Sequence, residues 1–265
     1  MKERIQKVLA QAGYGSRREI EKWIIEGRVK IGKSKASLGD KISYDDKVFL
    51  DDKLLPLTDK EKLACRVIAY HKPEGEICSR HDPEGRSTVF DQLPRLQKAR
   101  WVMIGRLDIN TAGLLLFTTD GELANRLMHP KYEIEREYAV RVYGDVTQTQ
   151  LNNMTSGVML EDGPAKFERI KLEGGEGKNQ WFHVILKEGR KREVRRLWES
   201  QGLTVSRLLR IRYDEIILNR TLKQGKWMDL PAPLIRNLGK RVELELNAYS
   251  KNFTSGHEMR YRDNK

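Results

Sequence analysis

The stretch from Gly105 to Gly121 constrains the fold more than any other part of the chain. It reads GRLDINTAGLLLFTTDG, so a polar turn carrying Arg106 and Asp108 leads directly into an apolar strand. Glycines around the turn allow the backbone to approach a ligand closely, and a buried strand over 113–118 holds the turn rigid. Asp108 is therefore the first candidate for chemistry. The alternative is an ordinary surface ion pair with Arg106 or a turn-capping aspartate.

Length and charge limit the class of protein. At 265 residues the chain allows one large domain, or a small domain joined to a larger one. Its 50 Lys and Arg against 38 Asp and Glu give a net charge of +12, which is typical of a protein that binds a polyanion. The start lacks an apolar leader and no long apolar run follows, so we expect a cytoplasmic protein without membrane association. Two cysteines and five histidines fall in no metal-binding spacing, so no metal site is predicted.

The first sixty residues are predicted to form a small domain of helices and strands. Apolar residues at helical spacing before Gly13 indicate one helix, and Ser16 with Glu19 at the capping-box position indicates the start of a second. Short strands are predicted at 27–32 and 47–50.

This small domain carries a surplus of positive charge. Residues 1–35 contain ten Lys and Arg against four Glu. The pattern favours contact with RNA or DNA, whereas the alternative is a solvated helix face. The candidate contacts are Arg17, Arg18, Arg28 and Lys30.

A polar linker is predicted at 57–62, so the domains are taken as 1–60 and 63–245, followed by a disordered basic tail over 246–265. In the larger domain, strands are predicted at 66–71, 101–104, 113–118, 136–142, 166–172, 181–186, 205–212 and 214–218, and helices at 121–129, 146–155, 191–200 and 232–240. The irregular spacing favours an α+β class with a mixed, mainly antiparallel sheet and flanking helices.

A second basic segment spans 186–212, with nine Lys and Arg against three Glu. Val194, Leu197 and Trp198 share one helical face, so the neighbouring arginines are expected to point elsewhere. The planar guanidinium group of arginine binds phosphates through two hydrogen bonds and stacks on bases, which favours a nucleic-acid groove. The alternative is a helix covered with Glu–Arg pairs. The candidate RNA contacts in this segment are Arg190, Arg192 and Arg196.

Four motifs in order resemble those of the ribosomal RNA pseudouridine synthases of the RsuA/RluB/RluE/RluF group. They are Lys72-Pro73-Glu74-Gly75, Gly105-Arg106-Leu107-Asp108 with Thr111 to Leu115, His129-Pro130 through Glu135-Arg136-Glu137-Tyr138, and Glu188 to Arg196. Ser16-Arg17-Arg18 and Gly27-Arg28-Val29 look like the S-four RNA-binding domain that commonly precedes that catalytic domain. The resemblance covers about 1–245.

Within the group, the chain is most similar to the RluB type. The RluB-type pattern Arg-Glu-Val-Arg-Arg-Leu-Trp is found at 192–198 of this chain. The small-subunit branch typically carries His-Gln-Val-Lys in that region. The resemblance therefore implies action on large-subunit (23S) ribosomal RNA or on a large-subunit assembly intermediate. It also implies a monomer that consumes no cofactor.

The resemblance further implies roles for individual residues. Asp108 would be the catalytic carboxylate, acting either as a nucleophile or as a base on a flipped-out uridine. Arg195 would pair with it, and Tyr138 would pack against the target base, with ordinary strand packing as its alternative. Arg106 would hold the backbone of the flipped nucleotide, with a structural ion pair as the alternative.

Two other functions stay open from the residues alone. The first is a noncatalytic RNA-binding factor in ribosome assembly, and the second is a pseudouridine synthase acting on small-subunit rRNA or tRNA. Asp108 and Arg195 argue against the first, because a pure binder gains nothing from a carboxylate that faces a polyanion.

Overall fold

The computed structural model describes residues 2–57, 64–80, 82–96 and 99–249. Nearly all of the predicted linker, from 58 onwards, lies outside the described residues, as does the predicted tail from 250 to 265.

Residues 2–57 form an amino-terminal unit with a core of its own. Its elements are β1 (Glu3–Arg4), α1 (Ile5–Gln11), α2 (Arg17–Ile25), β2 (Val29–Ile31), β3 (Ser34–Lys35), β4 (Lys41–Ile42), β5 (Val48–Leu50) and β6 (Lys53–Leu55). The predicted capping box opens α2, since the Ser16 hydroxyl accepts from the Glu19 amide at 3.1 Å and the Glu19 carboxylate accepts from the Ser16 amide at 3.1 Å. Helices α1 and α2 and strands β2 and β5 lie where the sequence predicts two helices and two strands, so these predictions are confirmed.

The larger unit is a sheet flanked by helices. Its elements are β7 (Val67–Lys72), β8 (Val102–Ile104), β9 (Ala112–Thr118), α3 (Gly121–Met128), β10 (Arg136–Tyr143), α4 (Gln148–Ser156), β11 (Val158–Leu160), β12 (Gly163–Ala165), β13 (Arg169–Glu176), β14 (Asn179–Leu186), α5 (Glu193–Glu199), β15 (Thr204–Tyr213), β16 (Ile216–Ile217), β17 (Trp227–Asp229) and α6 (Ala232–Arg241). The strand order is β13-β14-β10-β15-β9-β7-β17, with β16 beside β15 and β8 beside β9.

The sheet is mixed and mainly antiparallel, as the sequence predicts. Among the strands that the structure describes, β9 and β15 form the one parallel pair of this sheet. Every residue of β9 is buried, because Leu115 and Phe117 pack into the core on one face and Leu114 and Leu116 into the core on the other. The strand therefore gives the preceding Asp108 turn a rigid base.

Some elements depart from the prediction. The hairpin β11–β12 and strand β17 were not predicted, because three-residue strands leave little periodic signal and Pro164 is atypical of a strand. Helix α5 begins at Glu193 rather than at 191, since Arg192 is left-handed with φ 54°. In the predicted tail, Asn247 and Tyr249 pair with the backbone of Cys65 at 2.6 and 2.8 Å, so the chain is still ordered at 246–249.

Gly113 pairs with Arg210 where β9 runs beside β15. Its φ is +110°, and a Cβ atom there would lie 2.3 Å from the Arg210 carbonyl oxygen and 2.6 Å from the Arg210 nitrogen. We expect Gly113→Ala to lower the free energy of unfolding by about 2–4 kcal/mol, because the clash involves backbone that cannot rotate away.

Chemical denaturation measures this effect, with Gly85→Ala as the matched control. Gly85 also has a positive φ of +70°, but an added Cβ there meets no atom within 4 Å. The control is therefore expected to lose only about 1 kcal/mol from backbone strain. Equal losses for both variants would show that strand contact at Gly113 is unimportant.

Candidate active site

Asp108 lies on the turn between β8 and β9 with a half-exposed side chain. The Thr111 amide donates to the Asp108 carbonyl at 3.0 Å and closes the turn. Within the described ranges, no hydrogen bond or ion pair engages the Asp108 carboxylate, so the expected pair with Arg195, the alternative pair with Arg106 and a side-chain cap are all absent there. The carboxylate is held by its backbone alone and is open to a ligand.

Lys72, at the end of β7, supports this turn from beneath. Its side chain is fully buried, and its ammonium group donates to the carbonyls of Pro73 and Thr111 at 2.9 Å each and to that of Ile109 at 3.4 Å. Burial lowers the pKa of Lys72, and nearby groups that include Asp108 oppose that shift. Lys72 belongs to the first of the four sequence motifs, but no role was predicted for it. The feature that could have identified it is a lysine at the end of an apolar strand.

Arg195, on α5, supports the same turn from the other side. Its guanidinium donates to the Asn110 carbonyl and to the Val205 carbonyl, both at 2.9 Å. Burial lowers the pKa of Arg195, Arg192 lowers it further, and the charge of Asp108 acts in the opposite direction. The expectation that Arg195 points away from the core is wrong, because only 6% of the residue is exposed.

The register of the sheet places Tyr138 in one row of paired residues with Arg210, Gly113 and Lys72. It pairs with Arg210 on β15, Arg210 pairs with Gly113 on β9, and Gly113 pairs with Lys72 on β7. Tyr138 belongs to the hydrophobic core and keeps 8% of its surface exposed, so strand packing accounts for most of its burial. The buried Arg210, which donates to the Leu114 carbonyl at 2.7 Å, has no counterpart among the predicted site residues.

Three buried polar atoms around the turn have no hydrogen-bond partner among the described residues. They are the Thr111 hydroxyl oxygen, Nε of Arg195 and Nη2 of Arg210. Unsatisfied buried polar groups are uncommon in folded proteins, and here two of them belong to arginines that bind the backbone carbonyls of Asn110 and Leu114. Both arginines therefore keep a donor that no described protein group uses.

The other predicted RNA-contacting residues fall into two sets. Five form ion pairs: Arg28 with Asp51 at 2.6 Å, Lys30 with Asp52 at 2.6 Å, Arg190 and Arg196 with Asp162 at 3.1 and 2.8 Å, and Arg192 with Glu199 at 3.1 Å. Arg17, Arg18 and Arg106 are exposed and have no ion pair within the part of the chain that the structure describes. The second set is free to meet an external anion.

The described ranges contain no cluster of three or more His, Cys, Asp or Glu side chains placed to hold a metal ion. A search of the same residues finds no helix with the length and hydropathy needed to cross a membrane.

Known proteins match both units of the chain. The family model for RNA pseudouridylate synthase matches residues 66–200, and the model for the S4 domain matches residues 3–48. "Ribosomal large subunit pseudouridine synthase B" of Yersinia pestis is 55% identical over 253 residues, covering 95% of this chain and 80% of its own. The protein of the same name from Escherichia coli strain K12 is 56% identical over 253 residues, covering 95% of this chain and 87% of its own.

A solved structure described as a pseudouridylate synthase shares the fold. It superposes with a TM-score of 0.62 at 26% identity, covering 89% of this chain and 99% of its own. With a family model spanning half of the chain and relatives at this level of identity, the chain belongs to the RNA pseudouridylate synthase family of isomerases and carries an S4 domain at its amino-terminal end.

Proposed function

We propose that this protein converts a specific uridine to pseudouridine in large-subunit ribosomal RNA, with Asp108 as the catalytic carboxylate. The observation that carries the proposal is the unpartnered Asp108 carboxylate on a turn whose carbonyls are bound by Lys72 and Arg195. The names of the curated relatives support the large subunit as the source of the RNA.

The reaction rearranges one nucleotide and is balanced without a cofactor. The bond between ribose C1′ and base N1 breaks, the base turns, and a bond forms between C1′ and C5. C5 loses a proton and N1 gains one, so no electrons are exchanged with a second molecule. Asp108 acts on this bond as a nucleophile at C1′ or as a base, and both roles need an ionised carboxylate at a fixed position.

The site preorganises that carboxylate. Lys72 and Arg195 bind backbone carbonyls, so they fix the turn while the Asp108 oxygens stay available to the substrate. We assign Tyr138 to the flat face of the flipped base and Arg106 to the nucleotide backbone.

Binding energy must offset the cost of extruding the uridine, which is a few kcal/mol. We assign this role to the basic surfaces, with Arg17 and Arg18 of the S4 domain as direct phosphate contacts. The paired Arg28, Lys30, Arg190, Arg192 and Arg196 contribute less, because each already shares its charge with a carboxylate. The protein is proposed to act as a monomer in the cytoplasm, on 23S rRNA or on a large-subunit precursor.

The test is isomerisation of unmodified transcripts by the purified protein, followed by mapping of pseudouridine. We expect one modified uridine in large-subunit rRNA and none in small-subunit rRNA or tRNA. Tight binding without modification would favour an assembly factor instead. Modification confined to small-subunit rRNA or tRNA would reassign the substrate.

The division of the arginines into free and paired sets predicts a difference in RNA binding. We expect Arg17→Ala/Arg18→Ala to reduce the slope of log K against log salt by about 1.4–1.8, because each lost phosphate contact removes about 0.7–0.9. Arg28→Ala/Lys30→Ala removes the same charge from residues already bound to Asp51 and Asp52, and should change the slope less. Fluorescence titration at several salt concentrations measures both. Equal slopes for the two double variants would contradict the assignment.

A further inference from the structure

Three arginines meet where the amino-terminal unit contacts the catalytic unit. Arg100 is half-buried, and its Nη1 donates to the carbonyl of Gly15 at 3.0 Å, two residues before Arg17. Arg80 donates to the carbonyl of Trp101, the residue after Arg100, and its guanidinium lies 4.2 Å above the Phe90 ring. Backbones of the two units touch here, since a Cβ on Gly13 would lie 3.1 Å from the Ala99 carbonyl oxygen.

No carboxylate forms an ion pair with any of these three arginines within the described residues, whereas nine other described arginines have one. The charge of Glu19 acts on Arg100, but its carboxylate is bound to the Ser16 amide in the capping box. Burial, together with the charges of Arg80 and Arg17, lowers the pKa of Arg100 to about 10, and the charge of Glu19 opposes the shift. Among the described residues, this concentration of like charge is therefore not balanced by an ion-paired carboxylate.

We propose that Arg17, Arg80 and Arg100 form one binding site for backbone phosphate of the substrate RNA, at the junction of the S4 domain and the catalytic domain. Each guanidinium has five N–H donors, and the structure commits one donor of Arg80 and one of Arg100 to a backbone carbonyl. The remaining donors suit the oxygens of a phosphate, which guanidinium groups bind in a forked geometry. This inference rests on the proposed RNA substrate.

The position of the site gives it a distinct role. A phosphate bound here contacts both units at once and neutralises charge that otherwise opposes their contact. RNA binding thereby fixes the S4 domain against the catalytic domain, and the two domains grip one substrate together. We call these three residues the junction arginines.

The experiment compares Arg80→Gln and Arg100→Gln with Arg86→Gln, using an in vitro transcript of large-subunit rRNA. Glutamine keeps a donor for the Trp101 and Gly15 carbonyls but removes the charge. Arg86 is the matched control because it is exposed, close in sequence to Arg80, and already paired with Asp82 at 2.8 Å and Glu84 at 3.0 Å. Each junction variant is expected to bind about tenfold more weakly and to reduce the salt slope by about 0.7–0.9, whereas the control stays close to the wild type.

A thermal melt of each variant separates binding from folding. If Arg100→Gln unfolds at a lower temperature, Arg80→Gln decides the question, because its exposed side chain contributes less to the junction contact. Salt slopes for both junction variants no different from that of Arg86→Gln would overturn the site. The wild-type isomerisation assay on the same transcript reports separately on the proposed function, since binding and its salt slope are measured whether or not the uridine reacts.

Discussion

Asp108→Asn is expected to reduce pseudouridine formation by several orders of magnitude while RNA affinity is kept or rises. Asparagine has nearly the same size, and no described side chain depends on the Asp108 carboxylate, so the turn should keep its shape. The anion that attacks or deprotonates is lost, and an amide replaces it poorly in either role. Affinity is favoured because one negative charge leaves a positive surface.

Single-turnover isomerisation and a binding titration on the same preparation measure the two effects. Asp145→Asn is the matched control, because it makes the same isosteric change at an exposed position in the loop after β10. The control should isomerise uridine at the wild-type rate. An Asp108→Asn protein that does the same would exclude Asp108 as the catalytic carboxylate.

Arg195→Ala is expected to damage both activity and stability. It removes the donors of the Asn110 and Val205 carbonyls, which lie in or beside the core, and it leaves the turn unsupported on one side. Loss of these two hydrogen bonds should cost about 2–4 kcal/mol of unfolding free energy. Activity should fall by at least about a hundredfold, because a small displacement of Asp108 from the reacting atoms is costly.

Arg195→Lys separates geometry from charge. Lysine keeps the positive charge near Asp108 but cannot bridge two carbonyls in the planar geometry of a guanidinium. We expect it to recover part of the stability, measured by chemical denaturation, and little of the single-turnover rate. Full activity in Arg195→Lys would mean that Arg195 acts only through its charge.

Local sequence patterns determined most of the secondary structure. Helix α2 begins where Ser16 and Glu19 predict it, because a capping box satisfies amides within four residues of each other. Strand β9 follows from an unbroken apolar run, and the helix face of Val194, Leu197 and Trp198 is buried as its spacing predicts. These features depend on neighbours in sequence, so the sequence contains the information directly.

The candidate site depended on contacts between distant segments. Asp108 stood out because its turn precedes a strong strand, but the support given by Lys72 and the inward position of Arg195 come from carbonyls 39 and 85 residues away. Helical spacing predicts that Arg195 lies on the outside, because this pattern considers only which face of the helix is apolar. It takes no account of buried carbonyl groups that need a hydrogen-bond donor.

The basic residues also depend on contacts between distant segments. The sequence determines how many there are, but it does not determine which of them are free to bind a ligand. Arg196 is bound by Asp162, which is 34 residues away, whereas Arg17, Arg80 and Arg100 lie at the junction of two units and form no ion pair with a described carboxylate. Charge along the chain predicts binding to a polyanion. Which guanidinium groups remain free for it is decided by the tertiary structure, because an ion pair forms only between groups that the fold brings within a few ångströms.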